Sequence, residues 1–178
     1  MIRLFAAVAP PPEIVAGLVP RQTGVEGARW REAGNLHLTL RFFGDVREDV
    51  ARDLDGELAA VAARRPFEIA LQGVGAFGEG RDVHVLWAGV ADSPELKWLA
   101  RACETAARRA GLKGERRPYR PHVTLAYLRG ADPEEAGAWV QANNLLKSPP
   151  FTVTSFGLYS SHSGKGGSHY RLEAEYPF

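Results

Sequence analysis

Cysteine is almost absent from this 178-residue chain, and the lone Cys103 excludes both an internal disulfide and a metal site built from several thiolates. An excess of either charge is absent too. Lys and Arg number 22 against 21 Asp and Glu, a formal net charge of +1, so no global positive field can hold long nucleic acid and any contact with a polyanion is local. No apolar run is long enough to cross a bilayer. The apolar start, Met1 to Ala9, falls far short of the ~20 residues a span needs, and it meets Pro10-Pro11-Pro12 without a small-residue cleavage pattern. The segment Ser163-Gly164-Lys165-Gly166-Gly167-Ser168 lacks the spacing of a phosphate-binding P-loop and reads as a hairpin turn. The expectation is a monomeric cytoplasmic protein without a membrane partner, built as one domain or as two small lobes sharing an interface.

What is present is a mixed set of elements. Residues 2–9 read as a strand and Pro12 to Leu18 as a short helix begun by proline. A brief strand is expected around Trp30, then a strand from Leu36 to Phe43 with mostly period-two alternation. Val50, Leu54, Leu58 and Val61 recur at helical steps within Arg47 to Arg65, where Pro66 stops the helix. Strands follow at 67–77 and 83–90. Ser93-Pro94-Glu95 starts a helix that carries Leu96, Leu99, Cys103, Ala106 and Ala107 on its buried stripe and ends at Gly111. Pro121 to Leu128 is another strand, Asp132-Pro133 opens a helix through Val140, and strands near 151–160 and 168–176 complete the chain. Paired strands between helices argue against steady βαβ alternation, so the class is α+β with antiparallel or mixed sheet.

One feature organises this pattern. His37-Leu38-Thr39-Leu40 recurs half a chain later as His122-Val123-Thr124-Leu125, each copy followed by an amphipathic helix. The echo predicts two pseudo-symmetric lobes over residues 1–178, each carrying one motif, with flanking helices and a central cleft. On a strand, residues i and i+2 share a face, so His37 projects with Thr39 and His122 with Thr124, while Leu38, Leu40 and Val123 point to the core. A single His-x-Thr is ordinary half-buried strand; two copies, using two of only five histidines, point to chemistry. Two imidazoles can act as base and acid near neutral pH, and two hydroxyls can donate to phosphate oxygens. That is an apparatus for hydrolysing a phosphodiester without a metal, since the motifs bring no carboxylate or cysteine to complete a metal site.

With these motifs the chain resembles the two-histidine (2H) phosphoesterases, in particular the bacterial and archaeal RNA 2′,3′-cyclic phosphodiesterases also called 2′-5′ RNA ligases. The resemblance rests on Arg3-Leu4-Phe5-Ala6-Ala7, Trp30, Asn35 through Gly44, Arg117, Pro121 through Leu125, Leu158-Tyr159-Ser160-Ser161, Gly167, Tyr170 and Leu172, in that order. It implies a bilobal fold and hydrolysis of RNA 2′,3′-cyclic phosphate ends to 2′-phosphomonoesters without a cofactor. It also implies that His37 donates the proton, that His122 accepts one, and that Thr39 and Thr124 bind phosphate. RNA ends such as tRNA halves become the expected partner, with reversible 2′-5′ ligation as a secondary reaction. The family often carries an arginine five residues after the second histidine, where this chain has Tyr127.

The charge missing at Tyr127 has several candidate sources: Arg129, Arg41, and Arg116, Arg117 and Arg120. The cluster Arg116-Arg117-Pro118-Tyr119-Arg120 reads either as a phosphate contact, with Tyr119 or Phe42 stacking a base, or as a solvated basic loop. His84 reads as a strand histidine, His162 and His169 as surface residues, and Cys103 as core. Two other functions fit the same motifs: an RNA-end binding module with little catalysis, and a phosphodiesterase acting on a small nucleotide or ADP-ribose cyclic phosphate.

Overall fold

The computed structural model of the chain describes residues 1–61 and 65–178. The elements run β1 (Ile2–Val8), α1 (Pro12–Leu18), β2 (Arg29–Trp30), β3 (Leu38–Val46), α2 (Glu48–Val61), β4 (Phe67–Ile69), β5 (Leu71–Phe77), β6 (Val85–Val90), α3 (Pro94–Arg109), β7 (His122–Tyr127), α4 (Pro133–Asn143), β8 (Phe151–Val153), β9 (Ser155–Gly164) and β10 (Gly167–Pro177). Local chemistry sets the helix ends. The Ser93 hydroxyl accepts from Leu96 N–H at the start of α3, and the Asp132 carboxylate accepts from Glu134 N–H at the start of α4. At the end of α3, Gly111 adopts φ +87° while its N–H and that of Leu112 return to Arg108 O and Ala107 O, a closing pair that favours glycine. Helix α2 is described as far as Val61; residues 62–64 of the expected helix lie outside the described residues. Among the described residues no helix is long and apolar enough to cross a membrane.

Most strands form one antiparallel sheet in the order β10-β9-β1-β3-β7-β6-β5, with β2 also on β7, and β4 pairs with β8 separately. Every described pairing between named strands is antiparallel, so the mixed alternative drops out. The expected strand at 67–77 breaks at Ala70, where the chain leaves β8 and joins β6, and the one at 151–160 breaks at Thr154. Alternation of apolar residues continues through both breaks because it records burial, not which strand is the partner.

The middle of the sheet is its thinnest seam. Strands β3 and β7 share one register pair, Leu38 with Val123, whereas β1 and β3 pair along their whole lengths. Leu38, Leu40, Val123 and Leu125 are all buried, in a core that also contains Leu54 and Leu58 of α2 and Leu96, Leu99 and Cys103 of α3. Each such leucine contributes about 1.5–3 kcal/mol by burial. A one-residue slip of β3 would expose its leucines and bury His37 and Thr39, so core packing holds the motif's parity.

Candidate active site

Continued one residue each way from the single pair Leu38 with Val123, the antiparallel register puts His37, which immediately precedes β3 and does not lie within it as expected, beside Thr124, and Thr39 beside His122, on the face opposite the buried leucines. The seam thus gathers all four polar side chains of the two motifs. Both imidazoles are held by the same local device. His37 Nδ1 lies 2.7 Å from Asn35 O, and His122 Nδ1 lies 2.6 Å from Arg120 O. A carbonyl only accepts, so Nδ1 carries the proton in each neutral ring and Nε2 keeps its lone pair. Aromatic rings fix both orientations. His37 stacks on Phe5 at 4.8 Å and meets Tyr170 edge-on at 5.0 Å, while His122 meets Phe77 edge-on at 4.8 Å with Trp87 behind.

The surroundings change the basicity that unperturbed histidines would have. Burial pushes the His37 imidazolium down to about 4, against a partial rescue by its Asn35 bond, and repulsion from Arg31 and His122 adds to the depression. His122 is lowered as well, mainly by burial. Both rings are therefore neutral near pH 7 in the free protein. For His37 the folded value lies below the unfolded one of 6.5, so the unfolded chain binds the extra proton between those values. Stability should fall as the pH drops from 6.5 towards 4, by at most about 1.4 kcal/mol per pH unit from this group, with no slope from it above that window. Urea titrations across this range should show a shallower decline for His37→Asn; a decline as steep as in the parent would contradict the assignment.

Comparison with known proteins places this geometry. Residues 10–165 match the model of the 2′-5′ RNA ligase superfamily. This chain belongs to that superfamily. A relative from Geobacillus stearothermophilus described as an RNA 2′,3′-cyclic phosphodiesterase is 39% identical over 157 residues, covering 78% of this chain but 50% of its own length. The chain thus spans about half of that relative. An Escherichia coli protein of the same description is 33% identical over 179 residues, covering 94% of this chain and 92% of its own. The crystal structure of Escherichia coli LigT complexed with 3′-AMP matches with a TM-score of 0.80 at 28% identity, covering 99% of this chain and 98% of that one. TT0787 of Thermus thermophilus matches with a TM-score of 0.82 at 26% identity, over 99% and 97% of the two chains.

In this member of the 2′-5′ RNA ligase superfamily the sequence-derived arginines are not gathered like the motif residues. Arg41 is engaged by Glu104, at 2.5 Å, and by the carbonyls of Phe42 and Lys113, so it braces β3 against α3. Arg117 pairs with Glu115 at 2.9 Å on the surface. Arg120 supplies its carbonyl to His122 while its side chain is exposed, and Arg116 and Arg129 are also exposed. The Tyr119 hydroxyl donates to Thr39 O at 3.0 Å, which makes it a brace for β3 and not a free stacking platform. Phe42 is 40% exposed, with the Arg3 guanidinium over its ring. His84 is exposed and lies just before β6, not within the strand as expected, with its ring against Asp82 O; His162, on β9, is exposed as expected, with its ring against the buried Ser160 hydroxyl. Burial pushes the Cys103 thiol up to about 12, consistent with a core role. Among the described residues no group of three or more His, Cys, Asp or Glu is placed to hold a metal ion.

Sequence reasoning missed the cation that does act on His37. Arg31 lies 5.3 Å over the Tyr127 ring and donates to the Tyr170 hydroxyl at 2.7 Å. Its position follows from β2, which pairs with β7 and is separated from His37 by the one-turn helix Ala33–Asn35. No sequence period links Arg31 to the motif. The available signal was its place directly after Trp30, at the end of the short strand expected there.

Proposed function

We propose that this chain hydrolyses RNA 2′,3′-cyclic phosphate ends to 2′-phosphomonoesters, using His37 and His122 as acid and base, Thr39 and Thr124 as phosphate ligands, and no metal. The carrying observation is the β3–β7 seam, where antiparallel pairing at Leu38 and Val123 gathers both His-x-Thr motifs on one face. The names of the relatives and the family match support the same reaction. In the reaction, Nε2 of neutral His122 takes a proton from water as its oxygen attacks phosphorus. The bond from phosphorus to the ribose 3′ oxygen breaks, and protonated His37 delivers its Nε2 proton to that oxygen. The phosphate remains on the 2′ oxygen, and proton exchange with solvent resets both rings.

The buried His37 suits the donor role. Once protonated it is a strong acid, and the negative phosphate supplies the nearby charge that lets it carry the proton in the complex. The Thr39 and Thr124 hydroxyls donate to the non-bridging oxygens, where charge builds in the transition state. Run with a ribose 5′-hydroxyl in place of water, the same site joins two RNA ends, such as tRNA halves, through a 2′-5′ linkage. Residues 1–178 act in this reading as one cytoplasmic domain of two lobes, each carrying one motif and meeting at the seam.

The test is turnover of an oligonucleotide ending in a 2′,3′-cyclic phosphate in the presence of EDTA, with mononucleotide cyclic phosphates in parallel. The expected result is undiminished turnover under chelation and a 2′-phosphate product, identified by phosphorus NMR. Loss of turnover on chelation, or a 3′-phosphate product, would overturn the mechanism. Turnover confined to mononucleotides would move the substrate from RNA ends to small cyclic nucleotides.

A further inference from the structure

Arg31 is fixed at both ends, and its charge is uncompensated among the described residues. Its N–H donates to Leu125 O at 2.8 Å, and the Gln22 side-chain amide donates both to Arg31 O at 2.8 Å and to Leu125 O at 3.1 Å, so its backbone is tied to β7. Its guanidinium lies 5.3 Å from the Tyr127 ring centre and 5.4 Å from that of Tyr170, with one N–H donating to the Tyr170 hydroxyl. Two tyrosine rings, one of which also accepts through its hydroxyl, thus aim a planar donor fork. No carboxylate pairs with it among the described residues, unlike Arg41, Arg108 and Arg117, each of which meets a glutamate.

A half-buried guanidinium without a counter-ion is costly unless something anionic completes it, and its planar fork matches phosphate oxygens. Its field reaches the site. Arg31 repels a proton on His37, and Tyr170, which it grips, stands edge-on to that ring at 5.0 Å. We infer that Arg31 holds a non-bridging oxygen of the bound cyclic phosphate, aimed by Tyr170 and Tyr127, and supplies the permanent positive charge that the two His-x-Thr motifs lack. A phosphate there also cancels the repulsion between Arg31 and a protonated His37. The inference rests on the proposed phosphodiesterase reading for its substrate, but the anion site can be tested alone.

Affinity for adenosine 2′-phosphate is measured by calorimetry, alongside kcat/KM for the cyclic-phosphate oligonucleotide and the titration of His37 by NMR. In Arg31→Met both affinity and kcat/KM should fall about 10- to 100-fold, the usual worth of a charge-assisted contact. Arg31→Lys should recover part of the loss, keeping the charge without the fork. The His37 titration in free Arg31→Met should move up from its parent value and return towards it in Arg31→Lys, whereas a defect that merely exposed the ring would raise it in both variants. Arg29→Ala, which removes an equal charge from the exposed side of β2, should change none of these. Unchanged affinity in Arg31→Met, or an equal loss in Arg29→Ala, would overturn the inference. If the parent protein binds the nucleotide through Arg31 but does not turn over the cyclic phosphate, the anion site stands and the reaction assigned to it fails.

Discussion

Replacing His122 with alanine is expected to lower kcat for a 2′,3′-cyclic-phosphate oligonucleotide by about 10²–10⁴-fold, and His37→Ala by a similar factor. The size follows from the division of labour: one imidazole removes a proton from water, the other delivers one to the departing oxygen, and solvent water does either task poorly. His122 Nδ1 is engaged by Arg120 O, which leaves only Nε2 for the reaction, so no second nitrogen compensates. The ring is half-buried and packs edge-on against Phe77, so its removal costs packing but no core side chain. A denaturant melt should therefore show a folded variant. The rate against pH should be bell-shaped in the parent and lose one limb in each variant. The double variant should be little slower than the worse single one, because the two groups act in one step. Near-parental turnover in both single variants would remove the acid–base mechanism altogether.

Thr124→Val is the second large effect, expected to lower kcat by about 10²–10³-fold, the usual cost of losing one donor aimed at developing charge. Valine keeps the β-branched shape that suits β7 opposite Trp87, so the strand is retained and only the hydroxyl is lost. Thr39→Val is the matching test in β3, where the backbone carbonyl still receives the Tyr119 hydroxyl. A donor used mainly in the transition state shows its loss in kcat, whereas one used equally in the ground state shows it in KM. Turnover within a few-fold of the parent in both variants would leave the threonines as ordinary strand residues.

The readability of these groups differed by the range of the interaction that places them. His37 with Thr39, and His122 with Thr124, were legible because strand parity is a local rule and the leucines between them state which face is buried. Helix α3 was legible to within two residues at its end, since Ser93 and Gly111 carry their own capping chemistry. The strands broken at Ala70 and Thr154 were not, because a change of pairing partner leaves the alternation of apolar residues intact. Arg41 looked as available as any other arginine until α3 brought Glu104 against it.

The sequence by itself determined the chemical types, their spacing and their common face: two imidazoles and two hydroxyls, duplicated, on strands whose other side is apolar. Tertiary structure alone decided that β3 and β7 are neighbours, that burial and Arg31 push His37 well below an ordinary histidine, and that Arg31 has no carboxylate partner among the described residues while Arg41 and Arg117 have theirs. Parity and capping are settled within a few residues of chain, whereas pairing, desolvation and charge compensation depend on which distant segments arrive beside a side chain.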